Sequence, residues 1–218
     1  MIVLLLLLAA VIAYGLGSIN GAIITARFVF RRDVRNYGSG NAGLTNYYRS
    51  FGVPGLVTVA LIDIIKSVIA VLIGGALLSI LHAAEIGRLF AGFCLIMGHI
   101  FPAFYQFRGG KGVLCGVTMA FLVDWRVGLC CIGAFIIVVI LTRFVSLGSI
   151  IGSAVCPISM WIFQHDSLCC VLGLLCALLI IIKHAENILR LIGGTEHRLS
   201  IHGGRPRTAR EEEEDDFE

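Results

Sequence analysis

The sequence predicts an all-α integral membrane protein of about seven transmembrane helices, its N-terminus outside and its C-terminus cytoplasmic. Three observations carry that prediction. Hydrophobic residues make up 58% of the chain and charged residues only 14%, with a mean hydropathy of +0.93, so lipid is the solvent for most of it. Apolar segments recur near residues 2–26, 53–81, 88–106, 112–123, 127–141, 147–164 and 167–183, most of them near the ~20 residues a helix needs to cross hydrocarbon. Lys and Arg fall between alternate segments: Arg27, Arg31, Arg32, Arg35, Arg49, Arg108, Lys111, Arg143, Lys183, Arg190, Arg198, Arg205, Arg207 and Arg210 on one side, only Arg88 and Arg126 on the other. Because basic residues resist translocation, the rich side is cytoplasmic.

The first segment resembles a secretory signal but lacks a basic leader, and its apolar run continues past Tyr14 to about Ala26, so it reads as one uncleaved span. Lys66 is the basic residue inside a segment. It stands three positions after Asp63 in the second one, where unpaired charge is costly, so the two are expected to form a buried structural ion pair. His99 and Pro102 in the third segment are read as packing residues, with shaping of the cavity as the alternative. The fourth, about 12 residues or ~18 Å as a helix, is too short for a ~30 Å core and must lean on neighbours beside a cavity. Eight cysteines, mostly within apolar segments and without zinc spacing, read as small hydrophobes with no disulfide framework. Residues 1–200 thus form one membrane domain. The charged stretch 201–218, ending in an acidic run, is expected to be a disordered or appended tail. The net charge of +3 is spread among loops, which disfavours a nucleic-acid partner.

Three polar motifs share the basic side. Tyr37-Gly38-Ser39-Gly40-Asn41-Ala42-Gly43-Leu44-Thr45-Asn46, followed by Arg49, can turn successive N–H groups inward as an anion nest, although a plain surface turn favours the same residues. Arg108-Gly109-Gly110-Lys111-Gly112 opens the short fourth helix, where free N–H groups and the helix dipole suit phosphate. It lacks P-loop spacing. In His184-Ala185-Glu186-Asn187-Ile188-Leu189-Arg190, His184 and Asn187 share a helix face, while Glu186 and Arg190 form a separate structural i,i+4 pair. Ser149, close to a helix start after Arg143, adds a hydroxyl on the same side. No carboxylate or histidine cluster has metal-ligand spacing, and no cofactor is expected.

These motifs, with Gly98-His99 before the second and Arg190-Leu191 closing the third, resemble those of the bacterial acyl-phosphate:glycerol-3-phosphate acyltransferases, the PlsY family, in order and spacing over about residues 18–196. Asp63 with Lys66 and the Thr142-Arg143 stretch match too. The resemblance implies a seven-span enzyme of the bacterial cytoplasmic (inner) membrane, its active site facing the cytoplasm. It would move an acyl group from acyl phosphate to the 1-hydroxyl of glycerol-3-phosphate, releasing lysophosphatidic acid and phosphate in the first acylation of phospholipid synthesis. Three departures stand out: Leu114 and Cys115 where the family has alanine and threonine, Asn20 where it prefers proline, and Leu44 in place of alanine.

By that resemblance, Ser39, Lys111, His184 and Asn187 are the catalytic set, and Ser39, Arg49, Lys111, His184 and Asn187 bind glycerol-3-phosphate. Gly40, Asn41, Thr45, Asn46, Gly109, Gly110, Gly112 and Ser149 are expected to bind acyl phosphate. The base is either His184 or a substrate phosphate oxygen. Membrane lipid is an implied partner, and the enzyme that makes acyl phosphate a candidate one. The other acyltransferases of this pathway carry a His-x-x-x-x-Asp pair, and no histidine here has Asp five positions later. The rival reading is a small transporter or channel for a phosphorylated metabolite, which the lack of an inverted repeat disfavours.

Overall fold

In the computed structural model residues 1–163 and 165–199 are described, and the expected tail, 201–218, lies outside them. All regular structure among the described residues is helical. In chain order the α-helices are α1 (Ile2–Gly17), α2 (Gly21–Phe30), α3 (Leu44–Phe51), α4 (Leu56–Ser79), α5 (Ala84–Ile100), α6 (Val113–Val123), α7 (Trp125–Thr142), α8 (Val145–Ile162), α9 (Ser167–Ile182) and α10 (Ala185–Ile192). Each of the seven apolar segments becomes helix. Five are long and apolar enough to cross a membrane, and a sixth is if α9 and α10, bent by 58° at Lys183–His184, count as one span. At 11 residues, about 16 Å, α6 is too short to cross alone.

Polar side chains set the helix starts. The Asn20, Asp124 and Asp166 side chains accept hydrogen bonds from the N–H groups of Ile23, Arg126 and Leu168, capping α2, α7 and α9. Large apolar side chains such as Leu4, Val11, Leu61, Ile137, Ile140 and Trp161 face outward, as they would toward lipid. One core joins Ala13, Leu89, Leu95, Ile96, Met119, Val127, Met160 and Ile180. A second, built on Ile23, Tyr47 and Phe51, seats the short α3 against α2 and α4.

The first segment is one candidate span, Ile2–Phe30, as expected, but its helix is interrupted at Ser18–Asn20. The buried Asp63–Lys66 pair staples this break, Oδ1 lying 2.7 Å from Nζ. Lys66 donates to the Gly17 and Ile19 carbonyls, the loose C-terminal groups of α1, while Asp63 accepts from the Gly21 N–H at the start of α2. Each charge thus meets the helix pole of opposite sign. Lys66 also hydrogen-bonds His99 Nδ1 at 2.9 Å, so His99 belongs to this polar cluster as well as to the packing. Asn20 donates to the Ala42 carbonyl and thereby ties the break to the loop before α3.

Candidate active site

A cavity of about 1250 Å³ opens at the end of the bundle where α3, α10 and the loops before α3 and α6 gather. That exceeds the ~300–1,000 Å³ usual for one small ligand. Polar groups of all three motifs line its mouth, and its depth runs between α6, α7, α8 and α9 among Val117, Ile132, Phe135, Ala177 and Ile180.

In the first motif the turn itself is consumed in holding its own shape. Asn46, buried, accepts the Ser39 N–H at 2.9 Å and donates to the Val34 and Tyr37 carbonyls. The N–H groups of Gly40, Ala42 and Gly43 donate to Tyr37, Gly109 and Asn41 carbonyls. The expected nest is therefore largely closed, and Asn46 is a clamp whose side chain is already engaged. What this motif presents to the cavity is different: the Ser39 side chain, Asn41, Thr45, and the N-terminal turn of α3, with Arg49 one turn along. Gly40 does not border the cavity; its left-handed φ of +68° turns the chain. Ser50, also on the lining, has a buried hydroxyl without a partner.

The second motif divides in the same way. Gly109 and Gly110 do not aim N–H groups at an anion, because these donate to the Ile100 and His99 carbonyls and continue the hydrogen bonding of α5 into the loop. Neither borders the cavity. A Cβ on Gly110 would lie 2.7 Å from the Ala42 carbonyl and run into the His99 ring, so this glycine allows two loops to touch. Gly112, with φ +81°, starts α6, and its first-turn residues Val113 and Leu114 line the cavity with it. Lys111 reaches across to the Asn187 Oδ1.

In the third motif both His184 and Asn187 are buried on the lining. His184 Nδ1 lies 2.8 Å from the Ile180 carbonyl, so it carries the proton and Nε2 is left as an acceptor. Asn187 donates to Glu196 Oε1 at 2.8 Å. The expected Glu186–Arg190 pair is present but long, at 4.0 Å with Glu186 exposed, and it is not separate from the site, because Arg190 also binds Glu196 at 2.8 Å and borders the cavity. Glu196 is the functional-site residue the sequence reading passed over. Burial would raise its pKa, but the Asn187 and Arg190 hydrogen bonds outweigh this and hold it below the usual glutamate value. It lies beyond α10 in a segment that also brings the His197 carbonyl to Arg49 and Arg198 over the Phe144 ring. Ser149, on α8, lines the cavity while donating to the Val145 carbonyl.

The electrostatics are lopsided. Lys111 and Arg49 have no carboxylate within ion-pair distance among the described residues, yet both are at least half-buried. Burial lowers the Lys111 ammonium to about 8, with Arg190 and Arg49 adding repulsion and Glu196 and Glu186 opposing it. Burial likewise lowers Arg49. Partly desolvated cations held only by neutral acceptors carry a cost that an anionic ligand relieves.

Fold and cavity together define a multi-pass helical membrane protein with cationic side chains at the mouth of an apolar slot. The model of the glycerol-3-phosphate acyltransferase family matches residues 7–194, and the chain belongs to that family, in its PlsY branch. It is 41% identical over 192 residues to the glycerol-3-phosphate acyltransferase of Thermoanaerobacter pseudethanolicus, covering 88% of this chain and 94% of that one. Against the glycerol-3-phosphate acyltransferase of Clostridioides difficile identity is 37%, covering 88% and 95%. The crystal structure of PlsY, an integral membrane glycerol 3-phosphate acyltransferase, in its glycerol 3-phosphate form matches with a TM-score of 0.80 at 31% identity, covering 89% of this chain and 96% of that one. Its lysophosphatidic acid form gives 0.78 at 29%, covering 89% and 95%.

Proposed function

We propose that this protein transfers a fatty acyl group from acyl phosphate to the 1-hydroxyl of glycerol-3-phosphate, giving lysophosphatidic acid and inorganic phosphate. The observation that carries this reading is the pair of half-buried cations, Arg49 and Lys111, without a carboxylate at ion-pair distance among the described residues, at the mouth of a slot with apolar depth. The glycerol-3-phosphate phosphate sits among Arg49, Lys111, His184 and Asn187, with Ser39 orienting the glycerol hydroxyls. Acyl phosphate lies against Asn41, Thr45 and the helix starts of α3 and α6, beside Ser149, its chain in the slot. Two free helix N-termini favour a phosphate there more than the closed turn before α3 does.

The attacking hydroxyl loses its proton to His184 Nε2 or to a substrate phosphate oxygen as its oxygen bonds the carbonyl carbon. Charge gathering on the carbonyl oxygen is stabilised by Lys111 or by N–H groups in the water-poor cavity, and the C–O bond to phosphate then breaks. Phosphate leaves readily, so a strong general acid is unnecessary. The basic-side asymmetry of the sequence supports a bacterial inner-membrane enzyme with α6 completing a seventh crossing and the cavity opening to the cytoplasm.

The test is a donor assay on purified protein with glycerol-3-phosphate. Lysophosphatidic acid is expected from acyl phosphate and not appreciably from acyl-CoA or acyl carrier protein; product made only from acyl-CoA would overturn the donor.

Lys111 also sets a pH dependence. Its ammonium is charged below about 8 and neutral above, while a phosphate monoester is a dianion above ~6. kcat/KM for glycerol-3-phosphate is therefore expected to fall as pH rises through about 8, approaching ~10-fold per unit. Lys111→Arg, charged throughout, should keep a lower but flat rate from pH 7 to 9.5. A wild-type profile flat over that range would remove Lys111 from substrate binding.

A further inference from the structure

We propose that Cys131 on α7 and Cys156 on α8, the deepest cavity-lining residues of their helices, form the floor of the acyl slot and set the longest chain it accepts. The inference rests on the acyl transfer proposed above. On α4, α6 and α9 the cavity-lining residues end within about two turns of the mouth, at Asp63, Met119 and Cys176. Among the described residues, only along α7 and α8 does the lining reach deeper, ending at Cys131 and at Cys156. Cys131 lies about eleven residues from the Thr142 end of α7, and Cys156 about eleven from the Val145 start of α8, so the slot is about 16 Å deep at 1.5 Å per residue.

Both cysteines are buried. One turn above Cys156, a Cβ on Gly152 would stand 2.9 Å from the Cys131 carbonyl, so α7 and α8 converge there. Beyond the two cysteines Val127, Met160 and Cys169 are fully packed and none borders the cavity. The walls above are apolar or small: Ile132 and Phe135 on one side, Gly152 and Ser153 on the other. With carbon–carbon bonds of about 1.5 Å in a zigzag, an extended chain advances about 1.25 Å per carbon, so the slot takes about 13 carbons below the helix ends. A longer chain meets two sulfur atoms and the convergence of two backbones.

The experiment is a chain-length profile on the purified full chain, with acyl phosphates of about 10–20 carbons. The variants are Cys156→Phe, Cys131→Leu, the double Cys131→Ala/Cys156→Ala, and Leu129→Phe, which adds bulk on the exposed face of α7 at similar depth. Cys156→Phe and Cys131→Leu should each move the preferred length down by two carbons or more. Activity on the longest chains should fall about 10-fold while the shortest keep wild-type turnover. The double alanine variant should extend the upper limit, and Leu129→Phe should change nothing. An unchanged profile in two of the three floor variants, or the same shift in Leu129→Phe, overturns the proposal. If the wild type accepts only acyl-CoA or acyl carrier protein, the acyl-phosphate reading fails. The same profile is then run with that donor, and the floor stands or falls on the same shift.

Discussion

Replacing Lys111 with methionine is expected to lower kcat/KM for glycerol-3-phosphate by about 10²–10³-fold, with the protein still folded. Losing one partner of a desolvated charged contact costs about 2–5 kcal/mol, and each 1.4 kcal/mol is a factor of ten. Lys111 belongs at the high end because, among the described residues, no carboxylate lies at ion-pair distance from it, and because it also positions Asn187. Methionine preserves the length of the stem and the packing beneath Gly112, so thermal stability should hold or rise as a buried charge disappears. His184→Ala should differ in kind. If Nε2 is the base, its penalty falls on kcat, whereas loss of Lys111 weakens binding of the dianion throughout. Steady-state kinetics with each substrate varied in turn separates the two. A Lys111→Met enzyme within tenfold of wild type would dismantle the proposed phosphate seat.

The residue types of the site were legible in the sequence, while their hydrogen-bond assignments were not. Arg49, Lys111, His184 and Asn187 all reach one cavity, as three polar motifs on one side of an apolar chain imply. Glycine-rich loops, however, are ambiguous. The same residues that can cradle an anion can also let one loop pack on another, and here Gly109, Gly110 and Asn46 serve the second purpose. Which applies depends on the carbonyls of α5 and on Val34, tertiary partners with no local signature. Glu196 escaped for a related reason: it lies beyond the last apolar segment in a polar stretch, and only the return of that stretch over the cavity brings it to Arg190. The break at Ser18–Asn20 was masked because hydropathy is continuous through it. Two signals were present, a glycine on either side of the break and an asparagine able to cap α2, but neither outweighs an unbroken apolar run when periodicity alone is read.

That break makes Lys66 the position whose loss should damage the fold most. Its ammonium holds the Asp63 carboxylate, the Gly17 and Ile19 carbonyls and His99 Nδ1, all within a buried cluster. Lys66→Met leaves a buried carboxylate supported among the described residues by the Gly21 N–H and a more distant His99 Nδ1 at 3.7 Å, and strips the C-terminal end of α1 of its cap. Removing one partner of a buried pair costs about 3–5 kcal/mol, a large share of a typical folding free energy. Asp63→Asn should be milder, because the amide oxygen can still accept from Lys66 and the two carbonyls keep their donor. Combining Asp63→Leu with Lys66→Met removes both charges but restores nothing to Gly17 and Ile19. The expected order of thermal stability in detergent is therefore wild type, Asp63→Asn, the double variant, then Lys66→Met. The double variant should recover part of the single loss, an interaction of about 1–3 kcal/mol in a double-mutant cycle. Activity per folded molecule should track the same order, since the Asn20 link from the break to Ala42 carries any shift into the loop bearing Ser39. Strictly additive losses would show that Asp63 and Lys66 act separately, and a Lys66→Met protein as stable as wild type would show that the break needs no staple.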